Sequence, residues 1–263
     1  MADRIVVVGH SAVTCLGRDM DATWAGLIAG RSGLRRQPSL GAEAYLQDIA
    51  GLVEEPGPGD GLEDPAVAKL GARSLHLAMR AARQAWADAG LEGTDPGFDP
   101  DRVALAIGSA FGGVDLLHAE HLKAAGRRNL AVSPYLIPGL IINQGPGQVA
   151  QHLGLYGPSV APANACATGG HGVALGGLLL RAGEADLALC GGAESAFIPA
   201  IVNGFATMKA LFGRRPQDDR ALADPAQASR PFSVDRAGFI LAEGAGMLVL
   251  ATETTARRLG LRP

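Results

Sequence analysis

Short apolar runs alternate with longer stretches of helical periodicity along the chain. The apolar runs predict buried strands over residues 4–9, 103–108, 159–163, 186–190 and 246–250. Apolar positions at helical spacing predict helices over residues 21–29, 70–89, 115–125, 137–153 and 168–182. Strands that alternate with helices are typical of an α/β fold whose strands are mostly parallel and covered on both faces.

Glycine and proline mark where these elements end. Gly90 follows the helix over 70–89, and Gly191-Gly192 closes the strand over 186–190. Gly145-Pro146-Gly147 falls inside the helix over 137–153 and predicts a bend or break there. The stretches 51–65 and 213–230, rich in proline and charged residues, predict loops. Because no linker separates two cores, we expect one domain over residues 1–263.

Composition narrows the class of protein. Gly and Ala, at 37 and 47 of 263 residues, predict closely packed layers around a thin core. A net charge of −3 argues against a nucleic-acid binder. No apolar run approaches the length of a membrane span. The three cysteines form no CxxC pair, which favours a reducing compartment such as the cytoplasm, and the histidines show no metal-ligand spacing.

Cys166 lies at the junction of a predicted strand and a predicted helix. A helix N-terminus offers free backbone N–H groups and a partial positive charge, which stabilise a thiolate. A tight strand-to-helix elbow also presents the sulfur to a substrate. Cysteine is also among the residue types most often buried in a protein core. From this pattern alone Cys166 is therefore either a nucleophile or a core residue, whereas Cys15 and Cys190 sit in apolar positions typical of inert thiols.

Six segments, in order and at matching spacing, resemble the β-ketoacyl-[acyl-carrier-protein] synthases of the thiolase superfamily. The segments are IVVVGHSAVTCLG, WAGLIAGRSGL, GSAFGG, the stretch from SPYLIPG to ANACATGGHGV, GEADLALCGGAES and SRPFSVDRAGFILAEGAG. The resemblance implies a thiolase-like fold, of which this chain is one half: a mixed five-stranded sheet layered between helices. A thiolase, which shares the fold and the cysteine nucleophile, is the alternative enzyme, but the SRPF and AEGAG segments favour the synthase.

The resemblance implies a decarboxylative Claisen condensation. Cys166 of ACATG would take an acyl group as a thioester, and its backbone N–H would supply one arm of an oxyanion hole. A malonyl-carrier thioester would then lose CO2 and attack the acyl group. No metal or separate cofactor is implied, since the substrates are carried as thioesters on the phosphopantetheine of the acyl carrier protein. Positions that match lining or gating sites of the acyl tunnel are Phe111, Leu136, Phe205 and Phe239.

The resemblance also implies partners. An acidic acyl carrier protein would dock on basic residues. Matching or neighbouring positions are Lys69, Arg127, Arg128 and Lys209, with Arg214 and Arg215 close by. A homodimer would form through the strand before Cys166. A bulky Phe111 would shorten the acyl tunnel and favour short or medium chains.

Length is the main departure from the family. The resemblance places two catalytic histidines and a lysine in a second half, and none of the six histidines here fits their roles; His171, five residues after Cys166, matches a non-catalytic position. Ser233 and Ala237 replace aspartates of the family motif. We therefore expect a fragment of a longer synthase, one part of a split synthase whose second half is another polypeptide, or a non-catalytic half-fold that binds acyl carriers.

Overall fold

A computed structural model describes residues 3–37, 40, 48–54, 69–92, 97–125, 132–212 and 224–263. The strands are β1 Ile5–Val13, β2 Arg35–Arg36, β3 Ile49–Ala50, β4 Val103–Gly108, β5 Ser159–Val160, β6 Leu187–Glu194 and β7 Gly244–Thr252. The helices are α1 Met20–Ile28, α2 Arg73–Asp88, α3 Val114–Ala125, α4 Leu136–Leu140, α5 Gln144–Leu153, α6 Thr168–Arg181, α7 Pro199–Thr207 and α8 Glu253–Leu259.

Five strands form the central sheet, in the order β1-β7-β6-β4-β5. Strand β4 runs parallel to β5 and β6, whereas β7 runs antiparallel to β1 and β6. The mixed five-stranded sheet expected from the resemblance is therefore confirmed. The expectation of mostly parallel strands, drawn from the alternation of elements, is wrong for the β1–β7–β6 side. Strands β6 and β7 follow one another in the chain and are direct neighbours in the sheet, so β7 runs back along β6 instead of crossing over to lie parallel to it.

Helices cover both faces of the sheet. Helix α2 packs on β1, β7 and β6 on one face, and α6 packs on β6 and β4 on the other. The stripe predicted for α2 is buried as expected, and its residues are Leu70, Leu77, Ala81, Ala85 and Ala89. Small side chains let this layer come close: a Cβ on Gly9 of β1 would lie 2.4 Å from the Ala85 carbonyl oxygen. This fit confirms the close packing predicted from the Gly and Ala content.

Helix α6 approaches the sheet just as closely. A Cβ on Gly172 would lie 2.5 Å from the Ala106 carbonyl oxygen of β4, and one on Gly176 would lie 2.8 Å from the Cys190 sulfur of β6. A second apolar core cluster fills the space between α6 and the sheet; its buried residues are Ala104, Ala106, Leu180, Ala185, Ala188, Cys190 and Leu250. The start of α6, and with it Cys166, is thus held at a fixed height above the sheet.

Two predictions drawn from glycine and proline are wrong in detail. The stretch 137–153 forms two helices, α4 and α5, and the break falls at Ile141, whose ψ of 139° is extended. Gly145-Pro146-Gly147 lies in the first turn of α5, where a proline is tolerated because the N–H groups there have no partner within the helix. Gly191-Gly192 does not close β6 but lies within it. Glycine is needed inside the strand because a Cβ on Gly191 would lie 2.0 Å from the Gly246 carbonyl oxygen of β7.

The sequence pattern did not reveal every element. The short strands β2 and β3 and the helices α7 and α8 were not predicted. Most of the predicted loop over 51–65 and the stretch 213–223 of the loop over 213–230 lie outside the described residues. None of the helices in the described ranges is long and apolar enough to cross a membrane.

Candidate active site

One end of the central sheet forms a pocket of about 860 Å³ with largely apolar walls. Strands β4 and β6 end there, β7 begins there, and the N-terminus of α6 points into it. Cys166 lines this pocket together with Phe111, Phe205 and Phe239. Three of the four predicted tunnel positions therefore lie in the same pocket as the predicted nucleophile.

Cys166 sits in a sharp elbow between β5 and α6. A single 3-10 turn, Ala165–Ala167, leads directly into the helix, and the Cys166 side chain is exposed. Ala165, the residue before the cysteine, has a φ of +50°, a conformation that L-residues with a side chain rarely adopt. Backbone strain of this kind persists only where the surroundings enforce it, and it is concentrated at functional sites.

Thr168 enforces the elbow. Its buried hydroxyl donates to the Ala165 carbonyl oxygen at 2.7 Å and accepts from the Asn164 backbone N–H at 2.8 Å. A Cβ on Gly108, at the end of β4, would lie 2.2 Å from the Pro162 carbonyl oxygen and 2.4 Å from the Thr168 methyl group. The glycine therefore lets the chain from β5 and the first residue of α6 press onto the strand end. The sequence analysis missed Thr168, although it follows Cys166 by only two residues.

The N-terminus of α6 lacks a side-chain cap, although the Thr168 backbone N–H donates to the Ala165 carbonyl oxygen. Ala167, the N-cap residue, has no side-chain acceptor for the N–H groups of the first turn. Those N–H groups and the partial positive charge of the helix stabilise negative charge next to Cys166. The elbow can therefore stabilise the oxyanion that forms when the Cys166 sulfur attacks a thioester carbonyl.

The other two cysteines differ from Cys166 in environment. Cys190 is fully buried in β6, and burial raises the pKa of its thiol to about 12. Cys15 is half-buried, and burial likewise raises the pKa of its thiol. Both thiols are therefore protonated at neutral pH, which makes them poor nucleophiles.

The ionisable groups in the pocket wall are few. Among the described residues that line it, the ionisable side chains are those of Cys166, Cys190, Glu194 and Glu243, and none of these is a histidine. His171 is exposed and does not line the pocket. The described part of the chain also contains no cluster of His, Cys, Asp and Glu that could hold a metal ion. The described pocket wall thus combines an exposed thiol at a helix N-terminus with two carboxylates, and no imidazole lines it.

Two glutamates shape the wall, the half-buried Glu194 and the buried Glu243, and neither was predicted from the sequence. Glu194 accepts hydrogen bonds from the turn that carries Phe111, and burial raises its pKa. Glu243 accepts from the Arg73 guanidinium at 2.8 Å and from the Ser195 hydroxyl at 2.7 Å. Its partners lie as far as 190 positions away in the sequence, so local patterns carry no signal for them.

Aromatic side chains form part of the apolar wall. Phe205 on α7 and Phe239 meet edge to face, with ring centroids 5.4 Å apart. Phe197, which the sequence analysis did not identify, also lines the pocket. Leu136 begins α4, which packs against α3, and it does not line the pocket. A contact between Leu136 and an acyl chain stays a prediction.

The predicted carrier-docking positions are only partly described. Lys69 precedes α2 and is exposed. Lys209 follows α7, is exposed, and has a left-handed backbone with a φ of +59°. Arg127, Arg128, Arg214 and Arg215 lie outside the described residues. The structure therefore leaves two of the predicted cations available at the surface, and their role stays a prediction.

Residues 2–256 match the family described as beta-ketoacyl synthase, N-terminal domain. The 3-oxoacyl-[acyl-carrier-protein] synthase 2 of Coxiella burnetii is 34% identical over 249 residues, which cover 94% of this chain and 57% of the relative. The enzyme of the same name from Vibrio cholerae is 32% identical, and the match covers 98% of this chain and 60% of the relative. The chain thus spans less than two thirds of the length of these relatives.

Solved structures agree with the sequence comparisons. A beta-ketoacyl synthase from Burkholderia phymatum superposes with a TM-score of 0.85 at 28% identity, covering 99% of this chain and 62% of that one. The ishigamide ketosynthase/chain length factor also gives a TM-score of 0.85 at 28% identity, and the match covers 100% of this chain and 61% of that one. The fold is therefore thiolase-like, as the resemblance implied, and the chain belongs to the β-ketoacyl synthase family, whose N-terminal domain it matches.

Proposed function

We propose that this chain carries the acyl-accepting half of a β-ketoacyl synthase, with Cys166 as the nucleophile. The observation that carries the proposal is the placement of an exposed cysteine on a strained elbow, at the N-terminus of α6, inside a pocket with apolar walls. The pocket is of the size that commonly holds small ligands, and its walls suit an acyl chain.

The first step is a thioester exchange. The Cys166 sulfur attacks the carbonyl carbon of an acyl thioester, and a tetrahedral oxyanion forms beside the N–H groups at the start of α6. When the oxyanion collapses, the bond between the carbonyl carbon and the carrier sulfur breaks, and the carrier thiolate leaves with the electron pair. The acyl group remains on Cys166 with its chain in the pocket.

The second step is a decarboxylative condensation. A malonyl thioester loses CO2, its α-carbon attacks the acyl carbonyl, and Cys166 is released as a thiolate. The described pocket residues supply no imidazole or ammonium group to assist this loss. We assign that assistance to a C-terminal part, because the matched relatives are longer than the region they share with this chain.

The donor is an acyl carrier protein. This proposal is supported by a solved structure of a type II PKS acyl-carrier protein in complex with its ketosynthase, which has a TM-score of 0.82 to this chain at 25% identity. The carrier would meet the exposed Lys69 and Lys209. Either fatty-acid or polyketide synthesis is compatible with the relatives.

A second copy of the chain would pair through β5. This two-residue strand forms the edge of the sheet next to β4, and both of its residues are exposed. An exposed edge strand offers unpaired N–H and C=O groups to a partner strand. Sedimentation of the full chain tests this: a dimer is expected, and a monomer at all concentrations would contradict the pairing.

Intact-mass analysis tests acyl transfer. The full chain is incubated with a medium-chain acyl carrier thioester, alone and together with the C-terminal part of the Coxiella burnetii relative as a separate polypeptide. We expect one acyl adduct in the wild-type chain and none in Cys166→Ala, while Cys190→Ala is acylated like the wild type. Absence of an adduct under both conditions would overturn the proposal and favour a non-catalytic carrier-binding role.

The same mixture tests the condensation. When malonyl carrier thioester is added, β-ketoacyl product is expected only where the C-terminal part is present. Product formed by this chain alone would contradict the assignment of the decarboxylating groups to that part.

A further inference from the structure

The turn after β4 carries Phe111 into the pocket, and one carboxylate oxygen accepts three hydrogen bonds from this turn. Glu194 Oε2 accepts from the Ala110 backbone N–H at 2.8 Å, from the Phe111 backbone N–H at 3.2 Å and from the Ser109 hydroxyl at 3.2 Å. Strands β4 and β6 are parallel neighbours, with Gly108 opposite Gly192. The carboxylate two residues beyond Gly192 therefore reaches the turn directly.

The other end of the same turn, at Gly112, is fixed by close packing against the backbone of α4. Gly112 has a φ of +61°, and a Cβ there would lie 2.5 Å from the Leu140 carbonyl oxygen. The Gly112 backbone N–H donates to the Ser109 hydroxyl at 2.9 Å, and this hydroxyl in turn bonds Glu194. The turn is thus held at one end by close packing and at the other by a single carboxylate.

We infer that Glu194 is a positioning residue that fixes Phe111 as a wall of the acyl pocket and thereby sets the length of acyl chain that reaches Cys166. The inference rests on the proposed function. Phe111 is not held by burial, since 39% of its surface is exposed, so its backbone must set where the ring stands. If Glu194 were absent, the N–H groups of Ala110 and Phe111 would lose their shared acceptor, and the turn would be free to move.

The carboxylate is suited to this task. Burial raises the pKa of Glu194, while the N–H groups of Ala110 and Phe111 favour its charged form. Its second oxygen, Oε1, accepts from the Ser195 backbone N–H at 3.1 Å, so both oxygens are occupied by donors. A glutamine would bring an NH2 group toward one of these donors, and it cannot reproduce the arrangement.

Thiol-reactive probes of graded length test the inference without any acyl transfer. Alkyl methanethiosulfonates, from methyl to dodecyl, react with a thiolate: a new disulfide forms on the cysteine, the reagent's S–S bond breaks, and methanesulfinate leaves. Labelling of Cys166 is followed by peptide mass spectrometry. The ratio of the dodecyl rate to the methyl rate within one variant reports pocket length, because changes in thiol reactivity affect both rates equally.

Four chains form a cycle: wild type, Glu194→Gln, Phe111→Ala and the double variant. We expect Glu194→Gln to change the ratio by about fivefold, which corresponds to ~1 kcal/mol of lost positioning. In the Phe111→Ala background the same substitution should leave the ratio unchanged, since the wall it positions is gone. Glu184→Gln, at an exposed carboxylate beyond the end of α6, is the matched control and should behave as the wild type.

An unchanged ratio in Glu194→Gln, or an equal change with and without Phe111, would overturn the inference. If Glu194→Gln does not fold, Ser109→Ala decides: it removes one of the three donors and should shift the ratio in the same direction by a smaller factor. Labelling needs only an accessible thiol. A chain that is labelled normally but never acylated by carrier thioesters would therefore contradict the proposed function and leave this test valid.

Discussion

Helix α6 offers two glycines whose replacement by alanine should have opposite effects on stability. A Cβ on Gly172 would lie 2.5 Å from the Ala106 carbonyl oxygen and 2.7 Å from the Gly191 carbonyl oxygen. A Cβ on Gly177 would meet only the end of the Ile5 side chain, at 3.7 Å, an ordinary contact. Both positions lie inside the same helix, so the two variants gain the same helical preference and lose the same unfolded-state freedom.

The size of the difference follows from those distances. An ordinary contact begins near 3.4 Å, so the Ala106 and Gly191 oxygens must move away by roughly 0.9 and 0.7 Å. Both belong to backbone in the middle of the sheet, so the helix itself must lift. Overpacking of this kind costs about 1–3 kcal/mol, whereas a tolerated glycine-to-alanine change in a helix stabilises by about 0.5–1 kcal/mol.

Urea and thermal unfolding of the two variants test this reasoning. We expect Gly172→Ala to unfold at lower urea than the wild type and Gly177→Ala at slightly higher urea. Because the helical gain is common to both variants, their difference is the overpacking cost of about 2 kcal/mol, which corresponds to melting temperatures about 4–8 °C apart for a domain of this size. Equal stability of the two variants would refute the account of backbone-to-backbone packing under the Cys166 elbow.

Three further outcomes are expected. Arg73→Met should destabilise the fold by about 3–5 kcal/mol in urea unfolding, because it leaves the Glu243 carboxylate, 4% exposed, without its guanidinium. Burial raises the pKa of Cys190 to about 12, so its thiol keeps its proton when the unfolded thiol has lost it. Unfolding free energies from pH 8 to 11 should therefore fall above about pH 9 by an extra ~1.4 kcal/mol per pH unit, relative to Cys190→Ala. Thr168→Val should slow acylation of Cys166 about tenfold in a mass-based time course, because the hydroxyl that holds the elbow is lost.

Each of these has an outcome that would contradict it. Arg257→Met, which breaks the exposed pair Arg257–Glu253, is the control for Arg73→Met. It should change the free energy of unfolding by less than about 0.5 kcal/mol. An equal effect of the two arginine substitutions would show that the Glu243 pair is not a buried ion pair in solution. Parallel pH curves for wild type and Cys190→Ala would contradict the burial of that thiol. An unchanged acylation rate in Thr168→Val would show that the Thr168 hydroxyl does not hold the elbow in the shape that acylation needs.

The sequence predicted best those elements whose signal is local. Strand β4 lies at its predicted bounds because all six of its residues are buried on both faces. The predicted helix over 168–182 starts where α6 starts, because the elbow and the helix follow one another without a loop. Cys166 could be singled out as a candidate on that basis, and the resemblance then favoured it over its buried alternative.

Features that depend on distant partners could not be predicted. Whether Gly191 ends a strand or lies within one depends on Gly246 in the neighbouring strand, 55 positions away. The hydrogen bonds of Glu194 and Glu243 join segments that are 48 to 190 positions apart. Leu136 matched a tunnel position by its place in a motif; it does not line the described pocket, and its contact with an acyl chain stays a prediction.

Mapping an acyl adduct among the three cysteines tests the central claim most directly. The full chain is treated with an acyl carrier thioester, digested, and its cysteine peptides are measured for acyl mass, with the C-terminal part of a relative added where the chain alone does not react. The account predicts acylation confined to Cys166 and abolished by Cys166→Ala, with Cys15 and Cys190 unmodified. Acylation of Cys15 or Cys190, or of Cys166 only after unfolding, would contradict it.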